Sequence, residues 1–427
     1  MSHRGAARWA LGAGRRGSAD LAHALVADRR SRGCYEPRAV SGFITRDPIS
    51  SRNGAPLRVG VVIVNFGGPL KAEDVEPFLY NLFDDPDVIQ FPRLLKPLQS
   101  TFAENISAGR APKVVPQYEK IGFSPLVPTT MKQLEALRTE LARRHGEAPP
   151  FYVGMRYTPP TMAECVDQIV RDKPDRLVAL ALYPHYSRTT TGSSFNAFSA
   201  ELKARGLDRL PVQYVPAFYD HPRYLAAMED LIRRALAETE APESAHLLFS
   251  AHGLPSDYYR AGDPYLNHVQ ETVRLLIARM GWRGTYSLGF QSKVGPVRWL
   301  TPTTEEEIDR VALAGTREVV VVPVAFVSDH IETLYEIDVT FREFAEERGV
   351  KLLRTAALDT HPEFIGCLAD VVDRAVGDRS WGGLGAHRCV RCLLPKPHAH
   401  RMTVECLDCG HKTPEYLLRL PPVKLHE

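Results

Sequence analysis

Two groups of residues in this 427-residue chain have types and spacings that could do chemistry. The first joins His252, just beyond the apolar run 247–250, to the stretch from Asp329 to Asp338. That stretch carries Asp329, His330, Glu332, Glu336 and Asp338 with no lysine or arginine among them. If it is helical, Glu332 and Glu336 stand one turn apart on one face. A solvated helix face normally interleaves cations, so an unbroken acidic line suits the handling of cations or protons. The plainer reading, an exposed acidic helix start favoured by the macrodipole, stays open on spacing alone. A lone histidine such as His252 is usually structural; only the acidic line beside it raises its interest. The second group is Cys389-x-x-Cys392 and Cys406-x-x-Cys409, separated by thirteen residues. Such paired thiols are a metal-ligand pattern. Four thiolates suit zinc or a 2Fe–2S cluster, and the interval between the pairs is too polar for simple packing.

These residues need a frame. From Leu57 onward, apolar runs at 59–64, 153–157, 177–182, 247–250, 286–290 and 319–327 alternate with amphipathic stretches. Continuous β-branched runs read as strands buried on both faces of a parallel sheet. Leu266, Val269, Val273, Leu276 and Met280 form a helical stripe closed by Gly281 as C-cap, and Leu225, Met228, Ile232 and Leu236 form another. The alternation predicts an α/β fold of two open parallel-sheet domains, followed by a cysteine-rich tail. The expected divisions are an Arg-rich extension (1–55), a first domain (56–220), a second (221–380) and the metal-binding tail (381–427). In such sheets ligands bind beyond the C-terminal strand ends. There stand Asn65-Phe66-Gly67-Gly68-Pro69, Arg156-Tyr157, Tyr183 through Ser194, His252-Gly253, Gln291-Ser292 and the acidic line.

Several classes are excluded. Hydrophobic residues at 44% and charged residues at 24% rule out global disorder and a membrane-embedded bundle. The longest uncharged apolar run, 319–328, is too short to cross a bilayer as a helix. A net charge of +2 gives no general polyanion-binding character. Neither Gly67-Gly68-Pro69 nor Thr191-Gly192-Ser193-Ser194 completes a dinucleotide or Walker pattern, so both read as tight turns. There is no Gly-x-Ser-x-Gly elbow for a serine hydrolase. Residues 1–55 hold ten arginines, no lysine and four acids. They are expected to be a disordered extension, which places the protein in the cytoplasm; as a transit peptide they would place it in mitochondria.

The ordered runs VNFGGP (64–69), VGMRY (153–157), YPHYSRTTTGSS (183–194), FSAHGLP (249–255), GDPY (262–265), QSKVGPVRWL (291–300) and SDHIETLYEID (328–338) resemble the ferrochelatase family. The likeness runs from about Leu57 to about Asp378. It implies a lyase of haem (porphyrin) biosynthesis that inserts Fe²⁺ into protoporphyrin IX in a cleft between two Rossmann-like domains. By the family pattern His252 is the base, opposite Glu332, and the two hold the substrate iron. His330, Glu336 and Asp338 form a proton or ion path. Phe66, Met155, Tyr157 and Trp299 line the porphyrin, joined by Arg156 and Ser187, and Arg110, Lys113, Tyr118 and Ser124 meet its propionates. Phe91, Leu94, Leu95 and Leu98, with Arg93 and Lys96, correspond to the lip of the cleft, which implies peripheral contact with the inner membrane or ordinary packing. The resemblance favours a 2Fe–2S cluster over Zn²⁺ on Cys389, Cys392, Cys406 and Cys409. In animal members one cluster ligand lies upstream, where this chain has Arg188. The protein is expected as a monomer or homodimer without nucleic acid. Alternatives are coproporphyrin or cobalt chelation, or a tetrapyrrole or iron carrier.

Overall fold

A computed structural model describes residues 44–45, 57–91 and 93–377. The four tail cysteines lie outside the described residues. Among the described residues, nine strands build two sheets: β1 Ile44–Thr45, β2 Leu57–Asn65, β3 Phe151–Met155, β4 Arg176–Ala181, β5 Val212–Val215, β6 His246–His252, β7 Tyr286–Gln291, β8 Glu318–Pro323 and β9 Lys351–Arg354. The first sheet has a parallel core β3-β2-β4-β5, with β1 antiparallel to the start of β2. The second is wholly parallel in the order β7-β6-β8-β9.

The central strands form where the sequence is β-branched and apolar throughout. β2 buries every residue but Arg58, and β8 buries all six of its own, the pattern of strands covered on both faces. β8 stops at Pro323, four residues before the end of its apolar run, and Val324 donates to the Ser250 carbonyl instead. The edge strands β5 (Val-Gln-Tyr-Val) and β9 (Lys-Leu-Leu-Arg) were not apparent from apolar runs.

Helices connect the strands with clear start and stop chemistry. Thr161 and Thr303 each form a reciprocal capping box with the glutamate three residues on, opening helices Met162–Asp172 and Thr304–Leu313. Helix Tyr265–Met280 ends at Gly281, whose φ of +60° favours glycine. The last described helix, Pro362–Gly377, returns to the first sheet, packing on helices Leu126–His145 and Pro222–Leu236 and on β4 and β5. Arg144 anchors it through Asp370 at 2.7 Å and Asp373 at 2.9 Å. One core therefore runs through both sheets, from Val61 and Leu137 through Phe218 and Phe249 to Phe364.

Both sheets share a topology in which the second strand lies on one side of the first and the third on the other. The crevice at such a switch point is where open α/β sheets bind ligands. In the second sheet it opens between the C-terminal ends of β6 and β8.

Candidate active site

β6 ends on His252, and the chain leaving β8 turns into a π-helix, Glu332–Phe341, whose first residue is Glu332. Two distant sequence positions thus meet at the switch point. His252 Nδ1 lies 2.7 Å from Glu332 Oε2. A carboxylate only accepts, so Nδ1–H donates, and in the neutral ring the lone pair then sits on Nε2. Burial lowers the His252 pKa, but the charge and hydrogen bond of Glu332 outweigh it and hold the pKa above the ordinary value. Burial raises the Glu332 pKa, and the His252 charge more than reverses this, leaving it well below the usual carboxylate range. Each partner thus favours the charged form of the other.

Neighbours hold the pair in place. Tyr265 donates its hydroxyl to the His252 carbonyl at 3.0 Å. Trp299 stands edge-on to the imidazole, ring centroids 6.4 Å apart. Gly253 permits this approach, because a Cβ there would lie 3.0 Å from the indole and 2.9 Å from the Gln291 carbonyl. His330 donates Nδ1–H to the Ser328 carbonyl at 3.1 Å, leaving Nε2 3.8 Å from Glu332 Oε2.

The next carboxylate is different in kind. Glu336 accepts from the Ser292 hydroxyl at 2.6 Å and Gln291 Nε2 at 3.3 Å. Burial and then the negative charge of Glu332 push its pKa up to about 7. Two carboxylates a turn apart, one favoured ionised and the other shifted toward its protonated form, can hold a cation and pass a proton. Asp338, the third member of the expected path, is ion-paired. Both its oxygens accept from Arg354, at 2.9 and 2.7 Å. The sequence shows no cation in 329–338; the fold supplies one from β9.

The expected porphyrin-facing residues divide. Phe66 and Tyr157 pack edge to face at 4.6 Å. With Tyr118 and Phe78 they form one apolar cluster, which includes Ile331, the residue before Glu332. Arg110 and Lys113 stand three apart on helix Gln99–Lys120; Lys113 is exposed, whereas Arg110 lies over the Phe83 ring at 5.8 Å. Ser124 is buried against Gly68, where a Cβ would meet its hydroxyl at 2.3 Å, and Met155 is buried beneath Gly67. Arg156 and Ser187 are engaged inside the protein. Arg156 pairs with buried Asp85 at 2.8 Å and donates to Ser193 at 2.7 Å, while Ser187 donates to buried Asp263 at 2.9 Å.

Asp85, Tyr265, Gln291 and Ser292 were not among the expected site residues. Asp85 also accepts from Tyr157 at 2.7 Å, fixing that ring. Nothing in the local sequence marks an acid that works through partners about seventy and a hundred residues away. Gln291 and Ser292 do carry a signal, since they close β7 at the crevice.

Residues 58–376 match the family described as Ferrochelatase. A ferrochelatase of Picosynechococcus sp. is 46% identical over 319 residues, 74% of this chain and 82% of that protein. One of Geotalea daltonii is 44% identical over 324 residues, 75% of this chain and 99% of that protein. Among solved structures, SirB from Bacillus subtilis with Fe³⁺ aligns with a TM-score of 0.48 at 9% identity, covering 75% of this chain and 96% of that one.

Proposed function

This chain belongs to the ferrochelatase family, and on that premise we propose that His252 and Glu332 are the centre at which it inserts Fe²⁺ into protoporphyrin IX. The reaction, the closing step of haem biosynthesis, releases two pyrrole N–H protons and yields protohaem. The carrying observation is the 2.7 Å contact between His252 and Glu332 at the β6–β8 switch point.

The reaction needs water stripped from the ion, two protons removed and the macrocycle bent. An arriving dication repels the imidazolium proton, which frees Nε2 to act as base. One carboxylate and one imidazole bind Fe²⁺ weakly enough to release it to four pyrrole nitrogens. Glu336, poised near neutrality, takes protons onward, with His330 beside Glu332. Phe66, Tyr157 and Trp299 offer ring faces and edges against which a macrocycle can be strained, worth about 1–5 kcal/mol in such sites. Arg110 and Lys113 are the charged donors for propionates.

Membrane contact is part of the proposal. Leu94 is 92% exposed, with Leu95, Leu98 and Phe102 also exposed on the short helix Arg93–Leu98 and the next turn. An apolar ridge beside Lys96 suits the interface where a hydrophobic porphyrin is held. The test is anaerobic turnover with protoporphyrin and coproporphyrin, each free and in anionic vesicles. Vesicle-held protoporphyrin should be used faster than free protoporphyrin and in preference to coproporphyrin. Equal rates with and without vesicles, or preference for coproporphyrin, would overturn the corresponding assignment.

We also assign Cys389, Cys392, Cys406 and Cys409 to a resident metal centre. Four thiolates fit a 2Fe–2S cluster, which the family favours, or zinc. A metal would supply ordering energy that so polar a stretch lacks. Anaerobically purified protein should be reddish and bleach on reduction, and Cys406→Ser should lose the colour together with soluble yield. Bound zinc in colourless protein would replace the cluster; four free thiols without iron or zinc would end the proposal.

A further inference from the structure

Arg354 is the last residue of β9, on the far side of β8 from His252. It is not part of any motif described above. Its guanidinium is only 10% exposed, and all three nitrogens are used. Nη1 donates to Asp329 at 2.8 Å, Nη2 to Asp338 Oδ2 at 2.7 Å and Nε to Asp338 Oδ1 at 2.9 Å. The two acids bracket His330, Glu332 and Glu336. Thr333 ties the near end again, donating to Asp329 at 2.9 Å.

The placing of the bracket is informative. Asp329 lies in the loop that enters the helix, three residues before Glu332, and Asp338 lies within the π-helix itself. A single guanidinium holding both therefore ties the entry loop to the body of the helix, with Glu332 between the two anchors. π-helical stretches are intrinsically rare and their bonding is readily exchanged for α-helical bonding. Something must hold the register in place.

We propose that Arg354 is a positioning residue: its two-ended clamp fixes the π-helix against its entry loop and so aims Glu332 at His252. The charge is also accounted for. Asp329 and Asp338 share Arg354, and Arg342 adds a second cation 3.4 Å from Asp338, which leaves Glu332 and Glu336 as the acids without an arginine partner. Lysine could not replace it, because one ammonium does not present the planar fork that spans two carboxylates.

The inference rests on the iron-insertion reading for its effect on turnover, but not for its effect on the helix. Hydrogen exchange and steady-state kinetics on the full-length Arg354→Met and Arg354→Lys proteins test it. Exchange across 332–341 should quicken about tenfold or more in both variants, while β6 and β8 stay protected. Turnover per folded molecule should fall about tenfold or more, since misplacing a reacting group by an ångström has costs of this order. The KM for porphyrin should stay within about twofold, because that contact surface is untouched. Unchanged exchange over 332–341, or unchanged turnover in a variant that has only lost thermal stability, would overturn the clamp. If the Met variant does not fold, the Lys variant, which keeps the charge, carries the same test. If wild-type protein inserts no iron yet exchange responds as described, the clamp stands and the functional reading fails.

Discussion

His252→Ala should lower iron insertion by about 10²–10⁴-fold, the range general base catalysis typically contributes. The expectation comes from the 2.7 Å contact, which fixes the tautomer and leaves Nε2 as the ring's proton acceptor. Alanine also removes one of the two groups that hold the ion. Porphyrin affinity should change little, because Phe66, Tyr157, Tyr118 and Phe78 pack in a cluster that does not include His252. Fluorescence quenching of the bound porphyrin measures affinity, and anaerobic loss of the free-porphyrin spectrum measures insertion. A variant that turns over at a near-normal rate would remove His252 from the mechanism. Parallel loss of binding and turnover would point to collapse of the Trp299 contact.

Glu332→Gln should cost about a hundredfold or more, and Glu336→Gln about tenfold or less. The two carboxylates differ in their environments. Glu332 is held ionised by His252 and supplies the charge that attracts iron. Glu336, pushed up to about 7 by burial and by Glu332, is already largely protonated at slightly acid pH, so an amide there imitates a state it visits anyway. Ser292 and Gln291 still have an oxygen to donate to. The pH profile adds a signed test. In the wild type, Glu332 raises the His252 pKa, so the neutral base is populated only as pH rises through that raised value. Removing the Glu332 charge leaves burial as the governing influence and lowers the imidazole pKa. The acid limb of kcat against pH should therefore move to lower pH in Glu332→Gln and stay near its place in Glu336→Gln. Equal, mild losses with unmoved limbs would mean that 329–338 is only a solvated acidic helix.

Much of the fold was legible because burial wrote it into composition. β2, β3, β4, β6, β7 and β8 follow from apolar runs, with boundaries displaced by one or two residues and further only where Pro323 ends a strand early. β5 and β9 were not visible, since a four-residue edge strand needs no apolar run. The return of helix Pro362–Gly377 to the first sheet was also hidden, because its partners all lie more than a hundred residues upstream. The pairing of His252 with the acidic line was legible from strand-end position. The π turn was not, because Glu332 and Glu336 share a face at either helical period. The ion pair of Asp338 was hidden for a related reason. Its cation, Arg354, stands sixteen residues downstream and reaches it only through the pairing of β9 with β8. Arg156 and Ser187 carried motif signals, yet the structure sets them against Asp85 and Asp263, acids whose local sequence gave no notice of them.

In the proposed reaction the His252–Glu332 pair at the β6–β8 switch point takes two protons from a porphyrin and exchanges them for iron. Anaerobic mixing of the wild-type protein with protoporphyrin and Fe²⁺, in weak buffer with a pH indicator, tests it most directly. The free-porphyrin bands should give way to those of the iron complex with two protons released per porphyrin consumed, and His252→Ala should bind the porphyrin without either change. A wild-type protein that binds porphyrin and iron, yet leaves the porphyrin spectrum unaltered and releases no protons, would contradict the account and leave a carrier in its place.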